Sequence, residues 1–125
     1  MSELTILVVD DSPSMRRSLV VALLRIDGVA CIEAADGVEA VRRLVEGRFD
    51  AVICDINMPV MDGLKVISHM RRTPEHSDVP VVVVTTESGA EDRERAMALG
   101  ADRYLTKPLQ AHSVVHAVKE LLQIA

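Results

Sequence analysis

The sequence predicts an α/β fold, a (βα)5 doubly wound parallel five-stranded sheet, and three observations support this prediction. The chain has 125 residues, the size of one domain, and 49% of them are apolar, which is enough for a packed core. Five short apolar runs alternate with five longer amphipathic stretches. Runs such as Val81–Val84 show no polar alternation, which is typical of strands buried on both faces of a parallel sheet.

The five apolar runs are the predicted strands. In chain order they are Thr5–Val9, Val29–Ala34, Ala51–Cys54, Val81–Thr85 and Arg103–Leu105. The last run is short and polar at its start, so we expect it at an edge of the sheet.

The stretches between the runs carry helix signals. Ser12 precedes Pro13, an N-cap followed by proline at the first helical position, and Gly28 is expected to end this first helix. The second helix is expected to bury Val38, Val41, Leu44 and Val45 and to stop at Gly47. The third opens at Asp62-Gly63, buries Leu64, Ile67 and Met70 and closes at Thr73-Pro74. The fourth spans about Ala90–Leu99 and is strongly charged, and the fifth spans about Ala111–Gln123 on Val114, Val118 and Leu121.

Composition argues against several classes of protein. There are 14 basic and 19 acidic residues, a net charge of −5, and only 2% aromatic residues, which disfavours a nucleic-acid partner. The longest fully apolar run, Leu19–Leu24, is far too short for a membrane span, and no export signal is visible. We therefore expect a cytoplasmic protein with Cys31 and Cys54 reduced. Residues 1–125 are expected to form a single domain, and whether they are cut from a longer protein stays open.

Polar residues follow four of the predicted strands at the point where each strand ends. Asp10 and Asp11 follow the first, Asp55 the third, Thr85 ends the fourth, and Lys107 follows the fifth. The carboxyl ends of parallel strands lie at one edge of a sheet, where ligands bind in such folds. Carboxylates brought together need a cation, and hard oxygen ligands suit Mg²⁺. A hydroxyl and an ammonium complement a phosphoryl group, which an Asp carboxylate can accept.

Four blocks of sequence resemble the receiver domain of bacterial two-component response regulators, in particular the single-domain, CheY-like chemotaxis regulators. The blocks are Val8–Arg17, Cys54–Gly63, Val84–Glu87 and Tyr104–Pro108. The resemblance covers essentially the whole chain. It implies a flavodoxin-like fold with strand order 2-1-3-4-5 and a cis bond between Lys107 and Pro108.

The resemblance also implies a metal site and a nucleophile. Asp55 is expected to be the phosphoacceptor. Asp10, Asp11, Asp55 and the backbone carbonyl of Asn57 are expected to hold Mg²⁺, with Asp10 assisting through water.

Further roles follow from the same resemblance. Thr85 and Lys107 are expected to bind phosphoryl oxygens, and Thr85 and Tyr104 to form a conformational switch. Asn57, Thr86 and Glu87 are expected to tune loss of the phosphoryl group, with Thr86 larger than the residue usual at its position. Leu109 stands where an aromatic residue is common, so the partner surface differs there.

The implied function is signalling rather than turnover. A sensor histidine kinase is expected to phosphorylate the chain, which then controls a protein partner through its fourth helix, fifth strand and fifth helix, in chemotaxis or motility. The chain is expected to catalyse only its own phosphorylation and dephosphorylation, as a monomer or weak dimer, without nucleic acid or membrane partners.

Three alternatives remain open. One is a degenerate receiver that binds partners without phosphorylation. Another is a Mg²⁺-dependent phosphatase with an Asp nucleophile, but such an enzyme needs a second Asp as general acid and base where Asn57 stands. The third is a flavodoxin-like cofactor binder, disfavoured because Asp10 and Asp11 would repel a phosphate in the first loop.

Overall fold

A computed structural model describes residues 3–124 and confirms the predicted alternation of strands and helices. The strands are β1 (Leu4–Val9), β2 (Val29–Ala34), β3 (Ala51–Cys54), β4 (Val81–Thr85) and β5 (Arg103–Thr106). The helices are α1 (Pro13–Leu23), α2 (Gly37–Glu46), α3 (Gly63–Arg72), α4 (Ala90–Leu99) and α5 (Ala111–Leu122). A short 3₁₀ turn, Pro74–His76, follows α3 and was not expected from the sequence.

The strands form one parallel sheet in the order β2-β1-β3-β4-β5, which confirms the expected order. β3 is the central strand, and β1 lies between β2 and β3, with Ile6 paired to Cys31 of β2 on one side and to Ala51 of β3 on the other. Every strand pair is parallel, so each connection carries a helix back across a face of the sheet.

Helices cover both faces of the sheet, so there are two cores. One core joins alternate strand residues such as Leu7 and Val9 to α2, α3 and α4, and the other joins Ile6 and Val8 to α1 and α5. β3 and β4 are buried throughout. This two-sided burial is the physical reason why these strands read as unbroken apolar runs.

Two helices differ from the sequence prediction. α1 ends at Leu23, and Gly28 lies in the following turn with a φ of +80°. In α2, the predicted inner residues Val38 and Val45 are 44% and 73% exposed.

Of the predicted inner residues of α2, Leu44 is buried as expected, and the other buried residues of this helix are Gly37 and Ala40. A Cβ atom on Gly37 would overlap the backbone of Met61, so the small stripe lets the helix pack closely against the β3–α3 loop. The close approach of Gly37 to the β3–α3 loop therefore decides which face of α2 is buried, and the hydrophobicity of the side chains does not.

Cys31 is half-buried and Cys54 is buried, and both are free thiols. No helix within residues 3–124 is both long enough and apolar enough to span a membrane.

Candidate functional site

Three carboxylates lie together at the carboxyl edge of the sheet. One oxygen from each of Asp10, Asp11 and Asp55 lies within 4.8 Å of the others. Asp10 and Asp11 follow β1, and Asp55 follows the adjacent strand β3, so the strand order brings residues 45 positions apart side by side. Asp10 is 0% exposed and Asp55 is 5% exposed, whereas Asp11 is exposed.

Backbone amides fix the orientation of the two buried carboxylates. Oδ1 of Asp10 accepts a hydrogen bond from the amide of Ser12 at 2.9 Å, and Oδ1 of Asp55 accepts one from the amide of Asn57 at 2.9 Å. Each bond closes a short turn two residues long, the local geometry that Asp favours. The second oxygen of each carboxylate is thereby directed into the shared site.

Lys107 bridges these second oxygens. Its Nζ donates to Oδ2 of Asp10 at 2.9 Å and to Oδ2 of Asp55 at 3.1 Å. The Lys107 amide also donates to the carbonyl of Thr85 at 2.7 Å, which ties the β5–α5 loop to the end of β4. The bond between Lys107 and Pro108 is cis, as expected from the sequence.

The surroundings raise the pKa of Lys107. Burial alone would lower that pKa, but hydrogen bonds and charge interactions with Asp10 and Asp55 outweigh the effect of burial. Lys107 therefore carries its charge at neutral pH. Within residues 3–124 it is the one cation in an ion pair with these carboxylates, so three negative charges face a single positive one.

The excess negative charge and the donor set fit a divalent cation. The three side chains offer only carboxylate oxygens, the hard donors that Mg²⁺ prefers, and the exposed Asp11 lies on the solvent side of the group. Asn57 is exposed in the same loop, and its part in metal binding stays a prediction.

A second group of predicted residues is linked by hydrogen bonds through the backbone of Glu87. The Thr85 hydroxyl is buried and accepts from the amide of Glu87 at 3.3 Å, while the Tyr104 hydroxyl donates to the carbonyl of Glu87 at 2.6 Å. Thr85 and Tyr104, the predicted switch pair, are therefore joined by one peptide segment. Thr86 is exposed beside it, and its tuning role remains a prediction.

Tyr104 is buried, and its pKa is raised. Burial is the largest cause, and the negative charges of Asp92, Glu87 and Asp55 add to it, whereas Arg93 opposes the shift. The phenol is therefore neutral at neutral pH and available as a hydrogen-bond donor.

The structure adds residues that sequence reasoning missed. Arg16, in α1, donates to the backbone carbonyl of Asp10 at 2.7 Å and pairs with Glu33 of β2 at 2.9 Å, so it holds the β1–α1 loop. Gly63 lies against the backbone that carries Asp55, where a Cβ would overlap the Asp55 carbonyl and lie 2.8 Å from Cα of Ile56. Both stand within the sequence blocks named above, but nothing in those blocks indicates these contacts.

The Cys54 thiol lies directly beneath the acidic group and donates to the carbonyl of Asp55 at 3.3 Å. Its pKa is raised, first by complete burial and then by the charges of Asp55, Asp10 and Asp62. The thiol is therefore protonated and unreactive, and it acts as part of the core.

Comparison with known proteins agrees with this geometry. The family model for the response regulator receiver domain matches residues 6–119. The transcriptional regulatory protein PrrA of Mycobacterium tuberculosis is 42% identical over 118 residues, which are 94% of this chain and 49% of PrrA. The chain spans about half the length of the curated relatives it matches.

Solved structures of the same fold include proteins with different outputs. The chemotaxis protein CheY4 of Vibrio cholerae matches with a TM-score of 0.89 and 32% identity, covering 96% of this chain and 99% of CheY4. The signal receiver domain of a signal transduction histidine kinase from Syntrophus aciditrophicus matches with a TM-score of 0.86 and 34% identity, covering 95% and 89%. The match over nearly the whole chain, together with the acidic group and Lys107, shows that this protein belongs to the family of two-component response regulator receiver domains.

Proposed function

We propose that this receiver accepts a phosphoryl group from a sensor histidine kinase on Asp55, with Mg²⁺ as cofactor. The observation that carries the proposal is the bridging of two buried carboxylates by Lys107 within a group of three. In the transfer, the P–N bond to the kinase histidine breaks and a P–O bond to Asp55 forms. The nearly in-line geometry of such transfers requires little covalent chemistry from the receiver beyond a free carboxylate oxygen.

The two oxygens of Asp55 differ in their hydrogen-bond partners, which supports a choice between them as the attacking atom. Oδ1 accepts from the Asn57 backbone amide, which belongs to the same loop, whereas Oδ2 accepts from the ammonium at the end of the Lys107 side chain. Oδ2 becomes free when the Lys107 ammonium moves to a phosphoryl oxygen. We therefore assign Oδ2 as the attacking atom and Lys107 as the group that neutralises charge on the transferred phosphoryl.

The remaining residues support the same step. Asp10, Asp11, Asp55 and the Asn57 carbonyl would hold Mg²⁺, which supplies positive charge to offset the carboxylates and the phosphoryl oxygens. The Thr85 hydroxyl accepts from Glu87 and so keeps its own proton available to a phosphoryl oxygen.

The chain is proposed to act only on itself and not on other substrates. Receiver domains are in general signalling proteins rather than enzymes. In a phosphatase with an Asp nucleophile, a second carboxylate two positions on would act as general acid and base, and Asn57 cannot do so. Asn57, Thr86 and Glu87 are proposed to set the rate at which the phosphoryl group is lost.

The output is proposed to be contact with a protein partner through α4, β5 and α5, in chemotaxis or motility, in the cytoplasm, with the receiver as a monomer or weak dimer. CheY4, a chemotaxis protein, shares this architecture over nearly its whole length. A second candidate output is control of transcription, which PrrA favours because it is more similar in sequence and is a transcriptional regulatory protein. This chain matches 49% of PrrA, and a transcriptional output would need a further domain outside that matched part.

Phosphate uptake tests the proposal. The protein is incubated with acetyl phosphate, with and without Mg²⁺, and hydroxylamine-labile phosphate is measured. The wild type and Asp27→Asn, which changes an exposed carboxylate, are expected to take up label only with Mg²⁺, and Asp55→Asn is expected to take up none. If the wild type takes up none, the chain is a degenerate receiver that acts by binding alone.

A further inference from the structure

Tyr104 is held in its buried position by contacts from two directions. On one side its hydroxyl donates to the Glu87 carbonyl at 2.6 Å. On the other side Arg93 of α4 places its guanidinium carbon 5.9 Å from the centre of the Tyr104 ring. Arg93 also donates from Nη1 to the Tyr104 carbonyl at 3.4 Å. One side chain from α4 therefore contacts both the ring and the backbone of this residue.

These contacts are of a kind that suits a switch. A contact between an exposed cation and an aromatic ring contributes enough free energy to change an equilibrium about two- to fivefold. A contact free energy of this size favours the buried position of Tyr104 without excluding the open one. Arg93 itself is exposed, so a change at the surface of α4 can alter its position.

The geometry points to Arg93 as a positioning residue that keeps Tyr104 buried. By doing so, Arg93 sets how readily the surface formed by α4, β5 and α5 changes its conformation. The role of Arg93 in signalling rests on the proposed function, but the contact between Arg93 and Tyr104 is a property of the unphosphorylated protein. Arg93 is not placed in the phosphorylation site, and none of its contacts above is to a carboxylate of that site. In physical terms, α4 and Tyr104 move together because one guanidinium joins them.

The solvent exposure of Tyr104 can be measured directly by fluorescence. The chain has one Tyr and no Trp, so intrinsic tyrosine fluorescence comes from Tyr104 alone. Acrylamide quenches a tyrosine when solvent reaches it. If acrylamide reaches Tyr104 only in the open position, the quenching constant is proportional to the fraction of open molecules.

A matched control lies two residues along the same helix. Arg95 is exposed and pairs with Glu91 and Asp92 at 3.9 and 4.0 Å, so Arg95→Ala removes the same charge from α4 without touching Tyr104. Arg93→Lys keeps a cation that can lie over the ring, although it loses the planar fork that reaches the carbonyl as well.

Quenching is measured on unphosphorylated wild type, Arg93→Ala, Arg93→Lys and Arg95→Ala, with circular dichroism and thermal unfolding to confirm that all four fold alike. Arg93→Ala is expected to raise the quenching constant about two- to fivefold. Arg95→Ala is expected to match the wild type, and Arg93→Lys to restore most of the protection. Equal quenching in Arg93→Ala and wild type, or an equal increase in Arg95→Ala, overturns the inference.

Phosphate uptake from acetyl phosphate is measured on the same samples, which separates the two proposals. If Tyr104 responds to Arg93→Ala but no variant takes up phosphate, the positioning role stands and the phosphorylation proposal fails. If all variants take up phosphate and Tyr104 does not respond, the phosphorylation proposal stands and the positioning role fails.

Discussion

Replacing Lys107 by Met removes the ammonium between two buried carboxylates and keeps a side chain of similar length. The Lys107 ammonium is 2.9 Å from Asp10 and 3.1 Å from Asp55, and its side chain is 14% exposed. At about 3 Å and an effective dielectric constant of about 20, each contact is worth roughly 5 kcal/mol before desolvation is subtracted. Removing one partner from a buried ion pair costs about 3–5 kcal/mol. We expect the lower end of that range, because the group opens to solvent at the exposed Asp11, where water screens part of the remaining charge.

The assay is urea unfolding at neutral pH, once with a metal chelator and once with Mg²⁺. For a urea dependence of about 1–3 kcal/mol per molar, the midpoint of Lys107→Met falls by roughly 1–3 M in chelator. Magnesium should recover much of this loss, because a cation that binds only the folded state stabilises it and replaces the missing charge. Wild type should gain less from Mg²⁺, because its ammonium already offsets part of the repulsion.

Two controls test the electrostatic reasoning. Lys65→Met removes an exposed lysine from α3 and should change neither the midpoint nor its response to Mg²⁺. Adding Asp55→Asn to Lys107→Met should return part of the lost stability, because one buried charge disappears with it. If Lys107→Met is as stable as wild type in chelator, or if Mg²⁺ stabilises both equally, the ammonium does not neutralise these carboxylates and the reasoning is refuted.

Three further predictions follow from backbone geometry and from the raised thiol pKa values. Val60 is 90% exposed and has a φ of +66°, which disfavours a β-branched residue, so Val60→Asn should raise the free energy of unfolding by about 1 kcal/mol in urea titrations. Gly63→Ala should lower that free energy by about 1–3 kcal/mol and slow phosphate uptake about 100-fold, because it displaces the Asp55 backbone; unchanged uptake would contradict the role of Gly63. Burial, with a smaller contribution from a nearby Glu, raises the pKa of Cys31 from 9.0 to about 11, and the pKa of Cys54 is raised as well, so the folded state keeps protons that the unfolded state loses above pH 9. Urea unfolding should therefore show stability falling above pH 9 with a slope that approaches about 2–3 kcal/mol per pH unit for the two thiols, and with about half that slope in Cys31→Ala.

The strands could be predicted from sequence because each is a short run rich in apolar residues, unbroken in the buried strands β3 and β4, and the structure places every predicted strand within one residue of its expected bounds. The acidic edge could be predicted for a related reason. Once the strands are parallel, their carboxyl ends lie at one edge of the sheet, and the strand order implied by the family resemblance puts β1 beside β3, so Asp10, Asp11 and Asp55 were expected to lie near one another. Neither inference needs any knowledge of how side chains pack.

The inward face of α2 could not be predicted in the same way. Two stripes at helical spacing compete in this segment: one contains Val38 and Val45, and the other contains Ala40 and Leu44. Hydrophobicity favours the first, but the second lets the helix approach the β3–α3 loop at Gly37. The choice depends on a contact with a residue more than 20 positions away, so the periodicity of the helix alone cannot make it.

The roles of Arg16 and Arg93 were hidden for another reason. Both donate to backbone carbonyls, of Asp10 and Tyr104, and a carbonyl acceptor leaves no signal in the sequence. The charged residues of α4 are typical of a solvent-exposed helix face, and most of them are exposed. Only the packing of α4 against β5 reveals that one arginine of this face reaches Tyr104.

The weak anchoring of α4 is consistent with the proposal that the conformational switch lies at this helix. α4 buries one residue, Ala96, whereas α1 and α3 bury four each and α2 and α5 bury three each. Its first turn also lacks a side-chain cap, since its N-cap is Gly89. The elements with the fewest buried apolar contacts are the least costly to displace, and couplings between sites are typically worth only about 1–3 kcal/mol. On the proposed function, a phosphoryl group on Asp55 would therefore need only a coupling free energy of this size to displace α4, while the better-anchored helices would stay in place.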